Sequence, residues 1–272
     1  MTLSALAVGS VLAVSALQGA TANALDRRLA GVDPGVALSR FVGYPQGAAK
    51  DVFRPNTNFW LKGIDFSCVS PWNSAAGRLR AGTAISKRHI VFARHFPLAV
   101  GSRIVFVDAE GAVCPCRVQA TKSVGNTDIM VGSLDAELTP NIKPAKILPP
   151  DYEKHIGDIR GLPLVTFDQN EKAFLFELGG ITTNLTYTFG GRRIKDKRRD
   201  AFADKIVVGD SGNPAFLLIG DEPVLAYCLY GGGHAGYGPA IHHYQKEVQR
   251  VMDELCPGYK LETFDFASIG RR

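Results

Sequence analysis

Short apolar runs alternate with turn-forming residues along most of the chain. In the first half these runs cover 59–66, 82–85, 90–93, 102–107, 113–120 and 129–134. In the second half they cover 164–167, 173–178, 182–188, 215–219, 224–230 and 238–241. The runs are rich in β-branched and aromatic residues and are separated by Gly, Pro, Asp and Asn, which is typical of strands joined by tight turns. We therefore predict an all-β protein, built as a sandwich or a barrel.

One segment near the C-terminus, residues 242–255, has a different period. Its apolar residues recur every three or four positions, with Lys, Glu, Gln and Arg between them; they are Tyr244, Val248, Val251, Met252 and Leu255. This spacing predicts an amphipathic α-helix, which Pro257-Gly258 would end. We expect the helix to pack on the β body.

The N-terminal residues 1–24 contain no charged side chain and end in Ala22-Asn23-Ala24. An apolar run followed by small residues of this kind predicts a cleavable secretory signal, although it lacks the usual basic start. We therefore expect a secreted or periplasmic protein with no membrane span after cleavage. Residues 25–54 show no clear period and predict an irregular lead or propeptide, so the folded domain should span 55–272.

The composition is that of a globular protein, with 46% hydrophobic and 21% charged residues, and this excludes a disordered or collagen-like chain. The net charge is +5. Residues 192–199 contribute six positive charges and one negative, so this stretch accounts for the whole excess. We interpret it as a solvated surface loop; the alternative is a site for a polyanion. Because no aromatic residues are interleaved with the charges, we expect no nucleic-acid partner.

The strongest chemical motif is Gly209-Asp210-Ser211-Gly212-Asn213-Pro214, which precedes an apolar strand. A turn of this composition can expose a serine hydroxyl while backbone N–H groups converge on one point, as a nucleophilic serine requires. The motif resembles the nucleophile segment of trypsin-like (chymotrypsin-fold) serine proteases. That family carries its catalytic residues in the order His, Asp, Ser.

Two upstream segments extend the resemblance. The run 89–95 ends in Ala93-Arg94-His95, similar to the family's Ala-x-His, and places His95 at the position of the general base. Asp128-Ile129-Met130-Val131 resembles the family's Asp-Ile-Ala-Leu segment and places Asp128 at the orienting position. The other histidines remain alternatives; they are His89, His155, His234, His242 and His243. Asp108 and Asp135 are the alternatives to Asp128.

The resemblance implies two six-stranded antiparallel β-barrels, with a boundary near 145–160 and a C-terminal helix. It implies a serine endopeptidase that cleaves peptide or protein substrates through an acyl-enzyme and needs no metal or cofactor. The backbone N–H groups of Gly209 and Ser211 would form the oxyanion hole. Two non-enzymatic alternatives remain open, a catalytically silent binding protein of the same fold and a polyanion-binding protein that uses 192–199.

Some family positions are changed or ambiguous in this chain. Asn213 replaces the second glycine after the nucleophile, and its tolerance of positive φ would preserve the turn. Lys205 stands six residues before Ser211, beside Asp204, so that the base of the substrate pocket could favour either acidic or basic side chains. Tyr230 and Gly231 would line that pocket.

Activation is a separate question, because members of this family can be activated by a freed N-terminal amine. That amine pairs with the Asp before the nucleophile, which here is Asp210. The sequence after Arg40, Phe41-Val42-Gly43, faintly resembles such a cleavage site.

Overall fold

The computed structural model describes residues 19–44, 52–71, 80–182, 187–233 and 235–269. Most of the predicted signal segment, residues 1–18, lies outside these ranges. The described chain is mostly β, with two sheets and few helices, and this confirms the β-rich class predicted from the pattern of apolar runs.

The first half of the chain forms a five-stranded sheet. Its strands are β1 (Thr83–Ala84), β2 (His89–Ala93), β3 (Arg103–Val107), β4 (Val113–Ser123) and β5 (Ile129–Leu134). They lie in the order β1-β2-β5-β4-β3, and all neighbouring strands are antiparallel. Every residue of β2 is buried, including His89 at its start, whereas β4 alternates between buried and exposed positions over much of its length.

The second half forms a seven-stranded sheet. Its strands are β6 (Lys146–Ile147), β7 (Pro163–Phe167), β8 (Ala173–Thr182), β9 (Thr188–Arg192), β10 (Pro214–Ile219), β11 (Glu222–Cys228) and β12 (Tyr237–Pro239). They lie in the order β12-β9-β8-β7-β10-β11-β6, with only the β11–β6 pair parallel. The change from one sheet to the other falls between Leu134 and Lys146.

The helices are short and lie outside the sheets. They are α1 (residues 19–29), α2 (Pro34–Ala37), α3 (Glu153–Ile156), α4 (Lys197–Asp200) and α5 (Gln245–Leu255). A 3₁₀ turn, Ile241–Tyr244, precedes α5, so the segment predicted as one helix divides into two helical types. Val248, Val251 and Met252 form the buried face of α5, which packs on β4 and β5.

The two halves share a hydrophobic core. Phe66, from the segment before β1, packs edge-on against Phe167 and Phe216 of the seven-stranded sheet, with ring centroids 5.1 and 5.6 Å apart. The Trp60 indole donates a hydrogen bond of 3.0 Å to the carbonyl of Ala173 on β8. These contacts attach the segment before β1 to the seven-stranded sheet. Buried residues of both sheets belong to one hydrophobic cluster, so the two halves of the chain are packed against each other.

The predicted strand 59–66 is instead a series of turns. The Asn56 side chain accepts a hydrogen bond from Asn58 N–H, and Gly63 has φ +88°. Both features favour turns over an extended strand, so the apolar residues here reach the core without pairing in a sheet. Part of another predicted strand, residues 183–186 of 182–188, lies outside the described residues.

The N-terminal segment is more ordered than its sequence suggests. The predicted cleavage point after Ala24 lies within α1, and Leu25 and Leu29 of that helix are buried in the shared core. Asp26 accepts hydrogen bonds from the Arg199 guanidinium at 2.7 and 3.1 Å. Residues 25–44 therefore pack against the domain, although their mixed composition predicted an irregular lead.

All five cysteines are free thiols, with Cys256 the most exposed of them. Cys114 and Cys116 are both buried on one face of β4, as their spacing of two predicts, while Pro115 between them is exposed. Among the residues that the structure describes, no helix is both long enough and apolar enough to span a bilayer.

Candidate active site

His95 and Asp128 are brought together by two neighbouring strands. Ala93, the last residue of β2, pairs with Ile129, the first residue of β5, and Arg94 N–H donates to the carbonyl of Asp128 at 2.8 Å. His95 and Asp128 therefore lie just beyond this last pair, at the same end of the two strands. The Asp128 carboxylate binds His95 twice, accepting from the backbone N–H at Oδ1 and from ring Nδ1 at Oδ2, both at 2.8 Å.

The other ring nitrogen of His95 faces Ser211. His95 Nε2 lies 2.9 Å from Ser211 Oγ, although the two residues are 116 positions apart in the chain. Because the Asp128 carboxylate can only accept, the neutral ring carries its proton on Nδ1 and leaves Nε2 free to accept the Ser211 proton. The three residues predicted from the motif order thus form a continuous hydrogen-bonded chain.

The loop before β10 presents the nucleophile and a backbone donor. Gly209 has φ +103° and Gly212 has φ +88°, values that favour glycine. A Cβ added to Gly209 would lie 2.6 Å from Gln169 Nε2, so no larger residue fits without movement. The N–H of Ser211 makes no hydrogen bond to any described residue, so it is available to a ligand. This is the feature that an oxyanion hole requires.

Asp210, next to the nucleophile, is fully buried, and its carboxylate accepts a hydrogen bond from the backbone of its own loop. Its Oδ2 accepts from Val207 N–H at 2.7 Å, while Oδ1 has no hydrogen-bond partner among the described residues. Burial raises the pKa of Asp210 to about 6, and the hydrogen bonds from Val207 N–H and the Gln169 side chain act in the opposite direction. The family's freed amine has no counterpart in this arrangement, because the partners of Asp210 are internal.

Two side chains attach the loop to the β7–β8 hairpin: Asn213, which belongs to the motif, and Gln169, which lies outside it. Gln169, buried in the β7–β8 turn, donates from Nε2 to the carbonyl of Val208 at 2.9 Å. Asn213 donates from Nδ2 to the carbonyl of Phe167, the last residue of β7, at 2.8 Å. Asn213 does this without positive φ, since Glu171 is the only described non-glycine residue with that conformation. Nothing in the sequence around Gln169 marks it as buried.

The alternative histidines that the structure describes make other contacts. His89 is buried, with Nδ1 2.8 Å from Ser86 Oγ and Nε2 3.0 Å from the Met252 carbonyl, and burial lowers its pKa. Burial also lowers the pKa of His242, to about 4. His155 and His243 stack on Phe266 and Tyr187 respectively. His234 lies outside the described residues.

The alternative carboxylates are also engaged in local structure. Asp108 caps its own turn by accepting from the N–H groups of Glu110 and Ala112. Asp135 accepts from Arg117 N–H at 2.8 Å, which links the ends of β4 and β5. Asp128 is therefore the carboxylate that the structure brings to His95.

The residues predicted to line a substrate pocket are divided between two environments. The Tyr230 ring lies edge-on to the His95 ring at 5.0 Å, and Gly231 follows it beside the site. Asp204 and Lys205 are both exposed, and the Asp204 carboxylate accepts from Lys205 N–H. The next residue, Ile206, is buried, so the structure directs Ile206 inward and its two charged neighbours outward.

A cavity of about 600 Å³ opens beside the His95–Asp128 pair. Its walls come from both sheets and include Asn126, Thr127, Thr182, Thr188, Tyr230 and Tyr237. Thr127 and Tyr230 are neighbours of the catalytic candidates in sequence or space, so the cavity is continuous with the candidate active site. It is large enough for one or more side chains of a bound peptide.

The Arg40–Phe41 bond, considered above as a cleavage site, is inaccessible in this structure. Arg40 and Phe41 are only 8% and 3% exposed. The Arg40 guanidinium forms an ion pair of 2.9 Å with the buried Glu171, and Arg40 N–H donates to the Glu171 carbonyl at 2.8 Å. A protease would need to unfold this segment before cutting the bond.

The basic stretch 192–199 is largely neutralised by neighbouring acids. Arg192 pairs with Glu177 at 2.9 Å, and Arg199 is nearly buried against Asp26. Arg193 approaches Asp200 to 3.8 Å, and Arg198 pairs with Asp196 at 2.9 Å. This pairing lowers the positive potential that a polyanion would meet and reduces support for the polyanion-binding alternative.

No group of three or more His, Cys, Asp or Glu side chains among the described residues is arranged to hold a metal ion. Comparison with known proteins found no matching protein-family model and no curated protein similar to this chain. The assignment of a function therefore depends on the geometry of the site.

Proposed function

We propose that this protein is a serine endopeptidase of the trypsin-like kind, with Ser211 as nucleophile, His95 as general base and Asp128 as the residue that orients His95. The observation that carries the proposal is the unbroken contact from Asp128 Oδ2 through His95 to Ser211 Oγ, with distances of 2.8 and 2.9 Å. Resemblance in motif order and the free N–H of Ser211 support it.

The geometry suits acyl transfer. As Ser211 Oγ attacks a peptide carbonyl, its proton passes to His95 Nε2, because a serine hydroxyl is a weak nucleophile until a base accepts its proton. The resulting imidazolium is stabilised by the Asp128 carboxylate, which does not take the proton itself. The negative charge that develops on the carbonyl oxygen would be met by the N–H groups of Ser211 and Gly209.

The second half of the cycle uses the same groups in reverse. The proton on His95 Nε2 passes to the leaving amine as the C–N bond breaks, which leaves the substrate's acyl group on Ser211 Oγ. Water then gives a proton to His95 and attacks the ester, and the proton returns to Ser211 Oγ as the acid leaves. No cofactor is needed for either step.

Two further parts of the proposal concern architecture and location. We infer that the sheets are the walls of two six-stranded barrels, supported by the mainly antiparallel strands and by a candidate site built from both halves. We infer export from the uncharged apolar start of the chain. N-terminal sequencing of protein recovered outside the cell tests the second point, with Leu25 expected as the first residue.

The test of activity is covalent labelling with a fluorophosphonate, which reacts with an activated serine. We expect the folded wild type to be labelled at Ser211, and Ser211→Ala to remove the label. Ser268→Ala, which changes a serine in the C-terminal 3₁₀ turn, is the matched control and should keep it. A folded wild type that takes no label contradicts the proposal and favours the catalytically silent binding protein.

A further inference from the structure

We propose that Ile206 fills the space beside Ser211 and restricts cleavage to the carboxyl side of glycine or alanine. This inference rests on the proposed function and specifies its substrate class. The sequence predicted Asp204 or Lys205 at the base of the substrate pocket, but both are exposed, whereas Ile206 is only 6% exposed. The inward-facing residue of this segment is therefore apolar and branched.

The position of the attacked carbonyl limits where its side chain can lie. The carbonyl carbon must meet Ser211 Oγ while its oxygen points to the N–H of Ser211. The segment 229–233, which follows β11, runs beside this point, because Gly212 N–H donates to the Leu229 carbonyl and Leu229 N–H to the Asn213 carbonyl, both at 2.8 Å. The side chain next to the attacked carbonyl is thus bounded by this segment and by the loop leading to Ser211.

Ile206 joins these two boundaries. Its N–H donates to the Gly233 carbonyl at 3.0 Å, and Gly233 N–H donates back to the Ile206 carbonyl at 3.2 Å. The loop before Ser211 and the segment after β11 are therefore hydrogen-bonded to each other at Ile206 and Gly233. A deep pocket would need open space between them.

The Ile206 side chain occupies the space between two glycines. A Cβ added to Gly232 would lie 2.5 Å from Ile206 Cγ2, and one added to Gly236 would lie 2.5 Å from Ile206 Cδ1. These distances are too short for a carbon atom, so the backbone already contacts the isoleucine on both sides. There is no room for a large substrate side chain unless Ile206 moves.

Tyr237 closes the neighbouring part of the wall. A Cβ added to Gly231 would lie 2.4 Å from the Tyr237 hydroxyl oxygen, and Tyr237 N–H donates to the Gly231 carbonyl at 3.2 Å. Tyr237 also lines the cavity of about 600 Å³ beside His95, together with Thr182, Thr188 and Tyr230. We infer that this cavity accepts side chains of other residues of the substrate.

The experiment compares peptidyl aminoalkyl diphenylphosphonates that differ only in the side chain next to phosphorus, namely Gly, Ala, Val, Leu and Phe analogues. Phosphorus takes the place of the attacked carbonyl carbon and is captured by Ser211 Oγ with loss of phenol. We expect the wild type to react about tenfold or more faster with the Gly and Ala analogues than with Leu and Phe, because overpacking by a few methylene groups has about this effect.

Ile206→Ala should remove the discrimination. We expect its rate with the Leu and Phe analogues, divided by its own rate with the Gly analogue, to rise about tenfold or more relative to the same ratio for wild type. Ile206→Val is the conservative variant if alanine weakens folding, and it should give a smaller gain in the same direction. Val208→Ala, which changes a fully exposed residue of the same loop, is the control and should keep the wild-type order.

The outcomes separate the two proposals. A wild type that reacts with Phe or Leu analogues as fast as with Gly and Ala overturns the role of Ile206. A wild type that takes the fluorophosphonate but none of the five analogues, or an unchanged order in Ile206→Ala, also overturns it. Failure of the fluorophosphonate itself to label wild type contradicts the serine hydrolase proposal.

Discussion

His95 and Asp128 are positioned mainly by backbone pairing between adjacent strands. The loop that carries Ser211 depends on buried side chains, within the loop and on the β7–β8 hairpin, in addition to its backbone hydrogen bonds with Leu229. On the first side, the Ala93–Ile129 pair and the bond from Arg94 N–H to the Asp128 carbonyl set the geometry. On the second side, Gln169, Asn213 and Asp210 hold the loop. Side-chain substitution leaves a backbone ladder intact but can remove a side-chain anchor completely. The Ser211 side should thus be more sensitive to substitutions outside the catalytic residues.

The largest effect is expected from the carboxylate that orients His95. Asp128→Asn should lower the rate of fluorophosphonate labelling by about 10⁴-fold, because an amide at this position favours the wrong histidine tautomer. We expect the melting temperature to change little, since the backbone ladder remains. Asp135→Asn is the matched control and should label normally. A variant at 128 that labels within tenfold of wild type would contradict the assigned role.

A substitution in the loop that holds the nucleophile should have the next largest effect. Gly209→Ala forces φ of +103° on a residue with a Cβ and brings that carbon to 2.6 Å from Gln169 Nε2. We expect labelling to fall by about 10²–10³-fold, the size expected for loss of one oxyanion donor.

Gly220→Ala is the control for backbone strain, because Gly220 also has positive φ, +64°, but a Cβ there would meet nothing within 4 Å. Both variants should lose stability, and only Gly209→Ala should lose labelling. Equal labelling by the two variants would show that the packing of Gly209 against Gln169 does not position the donor.

The buried Asp210 should make the Ser211 side sensitive to pH. Its pKa in the folded protein is about 6, above the ordinary aspartate value of 3.8, so the folded state holds the proton more tightly than the unfolded state. Its stabilising contribution is complete below the unfolded pKa and is lost as pH rises through about 6. From the two pKa values the loss is about 3 kcal/mol.

Asp210→Asn removes this titration. We therefore expect its free energy of unfolding, relative to that of wild type, to rise by about 2.4 kcal/mol between pH 4 and pH 7.5. Urea unfolding of both proteins at several pH values measures the difference, with Asp151→Asn, at an exposed position that does not act on Asp210, as the control. A difference that stays constant over this range would be inconsistent with the raised pKa.

The smallest effect is expected at the anchor in the β7–β8 turn. Gln169→Ala removes the hydrogen bond to the Val208 carbonyl and should reduce stability by about 1–2 kcal/mol. It should also raise the pKa of Asp210 further, because the Gln169 side chain is one of the groups that lower it. The pH dependence of unfolding measures this second effect.

Thr166→Val, which removes the hydrogen bond of 2.8 Å from Thr166 Oγ1 on β7 to the Pro214 carbonyl, is the matched control for a general loosening of the hairpin. It should leave the pH dependence of unfolding as in wild type. If the two variants give the same pH profile, Gln169 has only a structural role in the turn.

The sequence predicted the parts of the molecule that depend on local pattern. Short apolar runs separated by turn-forming residues predicted most strands, and the motif around Ser211 led to the three residues that the structure brings together. The prediction of a strand at 59–66 was wrong, because apolar residues can reach a core from turns as well as from a strand. Composition does not distinguish a buried turn from a buried strand. Likewise, α1 was missed because its order depends on burial of Leu25 and Leu29 against distant residues.

The anchors of the Ser211 loop could not be predicted for a related reason. Gln169 lies in a polar turn and Ile206 follows two charged residues, so their neighbours in sequence suggest exposure. Both are buried only because residues far along the chain enclose them. Tertiary contact, which a single sequence does not reveal, decides their role.

The bond between His95 and Ser211 has a consequence for folding kinetics. It joins residues 116 positions apart, and each comes from a different sheet. Contacts of such long sequence separation form late, because much chain entropy is lost before they are made. A refolding experiment with timed pulses of fluorophosphonate should therefore show sheet formation before labelling. The refolding time at which labelling first appears would then report when the two halves of the chain dock.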